Sequence, residues 1–177
     1  SGISKTEYRI DAGEWVPYNP FRAENEGSHT ISIRSTDNLG NIESEKILSI
    51  VTDNTPPVTE STSGEPKYLS SDGKLYITGS TGLSLSAIDT LSGVAKTEYR
   101  LDGGAWKPYA PFTIPADGTH LVEYRSMDNI GNTELVRTLS VIVDNAPPTT
   151  SISLGDPKHS GPALFVRGNT PFTLSAT

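Results

Sequence analysis

One stretch of this chain occurs twice. Thr6 to Asn41 reads TEYRIDAGEWVPYNPFRAENEGSHTISIRSTDNLGN, and Thr97 to Asn132 reads TEYRLDGGAWKPYAPFTIPADGTHLVEYRSMDNIGN, at a constant offset of 91 residues. Both tryptophans, Trp15 and Trp106, fall at one repeat position. A period this long and regular points to a modular array before it points to any chemistry. The 177 residues then hold about two units, each the size of a small β-sandwich domain.

Within the repeat the patterning is that of strands. Thr6, Tyr8 and Ile10 alternate with Glu7 and Arg9. Asp11-Ala12-Gly13, or Asp102-Gly103-Gly104 in the second copy, is a hairpin turn signal. Tyr18 and Phe21 are bounded by prolines, which predicts a short edge strand or a pinned loop. Ile31, Ile33 and Ser35 share a face, as do Val122, Tyr124 and Ser126. Asn and Gly in the turn from Thr36 to Asn41 tolerate positive φ. A last strand carries Leu48, Ile50 and Thr52, matched by Leu139, Val141 and Val143. Two Pro-Pro pairs follow, Pro56-Pro57 and Pro147-Pro148; they donate no hydrogen bond, end a strand and stiffen the linker between domains.

Beyond each linker the early strands of a further domain begin. Val58 to Thr62 is weakly patterned, Leu75 to Ile77 is short, and Leu83, Leu85 and Ala87 alternate cleanly with serines. Ile152 to Leu154, Leu164 to Val166, and Phe172, Leu174 and Ala176 repeat this set. No window shows helical periodicity. The expectation is an all-β chain of tandem immunoglobulin-like β-sandwich domains, incomplete at both ends. Residues 1–54 would be the C-terminal part of one domain, 55–145 a complete one, and 146–177 the N-terminal strands of another.

Two readings of the ends follow. In one, the chain is a window from a longer array, in keeping with the absence of an initial Met and of a signal peptide. In the other, Phe172, Leu174 and Ala176 act as donor-strand knobs. They would complete the face of Tyr8, Ile10, Ile31 and Ile33 in the next copy, building a head-to-tail fibre by strand addition.

The motifs TEYRLDGGAW, PYAPF, GTHLVEYRSMDNIGN and VDNAPP resemble a bacterial immunoglobulin-like repeat of surface and secreted proteins, named after a spirochaete outer-membrane protein. The resemblance covers nearly the whole chain. It implies an extracellular or cell-surface sandwich serving as spacer, adhesin or anchor, with flanking repeats, other copies of itself, a glycan or a matrix protein as partner. The first copy departs from the motif at Ala12 and Glu14.

Charge and composition narrow the function further. A net charge of −7 disfavours nucleic acid, whose binding needs clustered Lys and Arg. No apolar run reaches the roughly 18 residues of a membrane-spanning helix. There is no cysteine, no nucleophile elbow and no phosphate loop, and two of the three histidines, His29 and His120, are duplicated in step. The expectation is a protein that is not an enzyme and needs no cofactor. Asp37, Asn38, Asp53, Asp128, Asn129 and Asp144, with Asp89 near another loop, are candidate Ca2+ ligands; the plainer reading is that Asp and Asn cap their own turns. Trp15, Tyr18, Trp106 and Tyr109 could form a platform for sugar rings, and the plainer reading puts such a Trp over the core or an edge. Arg9 and Arg100 face outward beside Glu7 and Glu98, which predicts cross-strand ion pairs.

Overall fold

Alternating apolar and polar residues set strands here, and Gly, Asn, Asp and Pro decide where each stops. The computed structural model describes residues 1–177 and is all-β, with no helix and 53% of residues in strands. The chain divides into two units, Ser1–Val143 and Asp144–Thr177.

The strands of the first unit are Ile3–Ile10 (β1), Val16–Pro17 (β2), Gly27–Asp37 (β3), Lys46–Thr52 (β4), Val58–Ser63 (β5), Lys67–Leu69 (β6), Leu75–Ile77 (β7), Leu83–Ile88 (β8), Val94–Leu101 (β9), Lys107–Pro108 (β10), Gly118–Asp128 (β11) and Arg137–Val143 (β12). The first four form an antiparallel sheet ordered β2-β1-β3-β4. The last four repeat it residue for residue. Glu7 faces Arg34 as Glu98 faces Arg125, and Ile31 faces Leu48 as Val122 faces Leu139. A register shift recurs where Ile3 faces Asp37 and Val94 faces Asp128. The outermost strands β2 and β10 are two residues long and end on Pro17 and Pro108.

The second of these sheets is larger, because β7 joins β12 in parallel and β6 pairs with β7. β5 and β8 form a separate antiparallel ladder. Leu83 and Leu85 of β8 pack with Ile77, Ile114, Val122, Tyr124, Val141 and Val143 in one buried cluster. Two facing sheets over such a cluster are consistent with a β-sandwich.

β5 looks weakly patterned because its inward residue is polar. Thr59 is wholly buried, and both its N–H and its hydroxyl donate to the Glu134 carboxylate. That carboxylate also accepts the Ser126 N–H at 2.7 Å and Arg137 Nε at 3.1 Å, while Thr59 and Ser126 hydroxyls lie 2.6 Å apart. A polar clamp therefore joins the two sheets at the rim of the apolar core.

The matching face of the first sheet has no such cover. Ile33 is 40% and Leu48 59% exposed, whereas Tyr124, in the position of Ile33, is 5% exposed. Tyr8 finds a local partner instead, stacking on Phe21 with ring centroids 3.8 Å apart, as Tyr99 stacks on Phe112.

In the second unit Thr150–Leu154 (β13) pairs with Phe172–Ala176 (β16), and Lys158–Ser160 (β14) pairs with Leu164–Val166 (β15). This reproduces the pairing of β5 with β8 and of β6 with β7. Thr170 donates its hydroxyl to the Pro157 carbonyl as Thr81 does to Pro66, both at 2.6 Å. Phe172 and Leu174 lie open to solvent, unlike their buried counterparts Leu83 and Leu85.

Candidate functional site

The linker between β4 and β5 is held from both sides. Asp53 is buried; its carboxylate accepts the N–H of Thr55 at 3.1 Å and of Ser92 at 2.9 Å. Its carbonyl accepts Asn132 Nδ2 at 3.0 Å. From the other side the Glu26 carboxylate accepts the Asn54 N–H at 2.8 Å and the Thr55 hydroxyl at 3.0 Å. Asn54 Nδ2 donates to the Glu24 carbonyl at 3.2 Å. Pro56 and Pro57 follow, and Pro57 is fully buried. The local sequence dictates this: Asp supplies acceptors, Asn and Thr supply donors, and the prolines remove two N–H groups that would otherwise need partners. The corresponding Asp144 is exposed and accepts the Ala146 N–H at 3.0 Å, as Asp53 does that of Thr55.

Three acids that are far apart in sequence converge at this junction. Carboxylate oxygens of Asp53, Asp89 and Asp128 lie within 4.8 Å of one another. Each is already an acceptor for backbone N–H groups. Asp89 takes those of Leu91 and Gly93, and Asp128 those of Ile130, Gly131 and Asn132. The side chain and N–H of Ser92 hold Asp53 below the ordinary carboxylate range. Burial pushes Asp128 up, but the amide and N–H of Asn132 and the N–H groups of Ile130 and Gly131 bring it below its ordinary value. Chemically the trio offers hard oxygen ligands of the kind Ca2+ takes, and it also performs the capping that ordinary turns need.

Of the other candidate ligands, only Asn129 adjoins the trio. Asn129 Nδ2 donates to the carbonyls of Ser92 and Gly93 beside the trio. Asp37 sits in the equivalent turn of the first sheet, where the Asn41 side chain above all, with N–H groups of Asn41 and Leu39, lowers it to about 2. Asn38 adjoins it, its N–H bonded to the Gly2 carbonyl at 3.0 Å.

The tryptophans neither fill the core nor stand free. Trp15 lies over the guanidinium groups of Arg9 and Arg34, 4.8 and 4.0 Å from the ring centroid. Trp106 lies likewise over Arg100 and Arg125. The rings are thus spread on the outer face of each sheet, and Tyr109 packs against the core. Tyr18, by contrast, is 60% exposed. The expected ion pairs form across strands. Glu98 meets Arg125 at 3.4 Å and Arg100 meets Glu123 at 2.6 Å. In the first copy Ser32 replaces Glu123, and Arg9 turns to Glu45 at 2.9 Å.

The histidines have a role that the turn glycine before them does not reveal. His29 Nδ1 lies 2.9 Å from Asp11 Oδ2, and Nε2 lies 2.9 Å from the Asn25 carbonyl. His120 repeats this with Asp102 at 2.8 Å and the Ala116 carbonyl at 3.0 Å. Asp11 and Asp102 adopt φ of 54° and 51°, and their other oxygens accept the N–H of Thr30 and Leu121, both at 2.8 Å. The signal for the pairing was in the sequence: Asp and His are kept together, at one spacing, in both copies.

No protein-family model matches the chain, and no curated protein matches it.

Proposed function

We propose that this chain is a structural segment of an extracellular array of tandem immunoglobulin-like domains, not an enzyme, and that its task is to hold successive domains at a fixed angle. The observation behind this reading is the linker of Asp53 to Pro57, which is bonded to side chains or loops of both flanking sheets. A hinge would leave those groups to water. The resemblance of the repeat motifs supports the family and the extracellular setting. No helix is long and apolar enough to cross a membrane. Residues 55–145 make the complete domain of the array, flanked by parts of two others. In this reading, neighbouring repeats or further copies cover the faces of Ile31 and Ile33 and of Phe172, Leu174 and Ala176, as β5 and β8 cover β11 and β12.

The test uses the absence of native cysteine. Spin labels at Ser49→Cys on β4 and Ser140→Cys on β12, both exposed, should give a narrow distance distribution. Adding Glu26→Ala and Asn132→Ala should broaden it. A broad distribution in the native background sinks the proposal. A second reading, a glycan- or matrix-binding module, draws on the exposed Tyr18; micromolar binding lost in Trp106→Ala without unfolding would favour it.

A further inference from the structure

Both ring nitrogens of His29 face acceptors. A backbone carbonyl cannot donate, and the Asp11 carboxylate, held to the Thr30 N–H, is an acceptor too. Only the imidazolium, with a proton on each nitrogen, satisfies both at once. The neutral ring has one N–H, and the charged acceptor takes it. Its bare Nε2 would then point at the Asn25 carbonyl, lone pair against lone pair. Only 9% of the ring's side chain is exposed, although Asp11 and Asn25 on either side of it are open to solvent. Asn25 belongs to the loop that holds the linker. Ala23 and Glu24 accept bonds from Thr52 and Asn54 through their carbonyls, and Glu26 binds Asn54 and Thr55.

We propose that His29 is a pH-operated latch on the interdomain junction: the imidazolium ties the loop of Ala23 to Glu26 to the Asp11 turn, and deprotonation releases the loop and loosens the linker it grips. His120 repeats the ring's own contacts, with Asp102 and the Ala116 carbonyl. The inference rests on the junction being rigid, the reading given above, and adds its regulation. The groups around the ring support it. Asp11 is its titratable contact, the residue across the ladder is the apolar Ile50, and Ser49 and Val51 flank that position. Glu24 and Glu26 flank Asn25 and engage the linker. Around His120 the corresponding residues are Asp102, Val141 across the ladder, and Asp117 next to Ala116. The bond to Asp11 raises His29, and the bond to Asp102 raises His120, above the ordinary 6.5. A raised histidine stabilises fully below its unfolded pKa and loses that contribution as pH climbs through the folded one.

The test is a proton NMR titration of the whole chain, with amide exchange at Asn54 followed over the same range. Both His29 and His120 should titrate above 6.5. Protection of the Asn54 amide should drop across the His29 midpoint by more than base catalysis of exchange explains. In Asp11→Asn the new amide can donate to a neutral Nδ1 while its oxygen still accepts the Thr30 N–H. The His29 midpoint should then fall, and the extra loss of protection should vanish. His29→Gln, which cannot bridge both acceptors, should leave Asn54 poorly protected at every pH. A His29 midpoint at or below 6.5, or protection that ignores it, overturns the latch. An Asn54 amide protected at all pH values sinks the latch alone, whereas one unprotected throughout sinks the rigid junction as well.

Discussion

Like charges this close to one another must be held by something. Asp53, Asp89 and Asp128 are held by N–H donors of two turns, Ser92 and Gly93 in one and Asn132 in the other, which stabilise each anion but do not remove the repulsion among them. Asp89→Asn keeps an oxygen for the N–H groups of Leu91 and Gly93 and deletes one charge. In chelator at low ionic strength this substitution should therefore raise the melting midpoint. The same scan with Ca2+ separates the two roles of the cluster. A rise in the native chain that is absent in Asp89→Asn assigns it to a cation, and equal midpoints leave turn capping as its whole work. The convergence was not legible in the sequence. Asp53 and Asp128 stood out by their repeat positions, but Asp89 lies just before the segment where the second copy starts, and only the packing of β8 against β9 brings its loop to the junction. The Trp positions were likewise visible as to place but not as to surroundings, because the paired guanidinium groups come from two strands that meet only through cross-strand register.

At the scale of strands, the alternation of Leu83, Leu85, Val122, Tyr124, Val141 and Val143 named the buried faces correctly, since a period of two leaves little choice when one face is wet. β6 and β14 were missed. Each is three residues long, bordered by turns, and gains its pairing from a neighbouring strand rather than from its own pattern. β5 was legible only faintly, because Thr59 does the work an aliphatic residue does elsewhere. Its partner Glu134 joins β5 to β11, so Glu134→Ala leaves the buried N–H groups of Thr59 and Ser126 without acceptors. Urea unfolding should show a loss of about 3 kcal/mol, one to three for each stranded donor. A loss under about 1 kcal/mol would mean that water replaces the carboxylate.

For the whole molecule, titration should give a peaked stability curve. Asp11, Asp37, Asp53, Asp102 and Asp128 all sit below their ordinary 3.8, so their contribution is present above that value and is lost as pH falls toward their folded values. His29 and His120 sit above 6.5, and their contribution is complete below it and disappears at higher pH. Melting midpoints measured from acid to alkaline should be greatest in the mildly acidic interval between the two groups, and a curve still climbing at neutral pH would contradict the histidine assignments. Acidic charge keeps such molecules apart in solution, but charge is screened by salt. One edge strand of each of these sheets, β2 and β10, supplies a safeguard that salt cannot reach. Pro17 and Pro108 each withhold an N–H where a stray chain would have to start zipping on, and β2 and β10 are too short to offer a second foothold. Along these two edges, copies of this protein meet without a strand on which a shared sheet could grow.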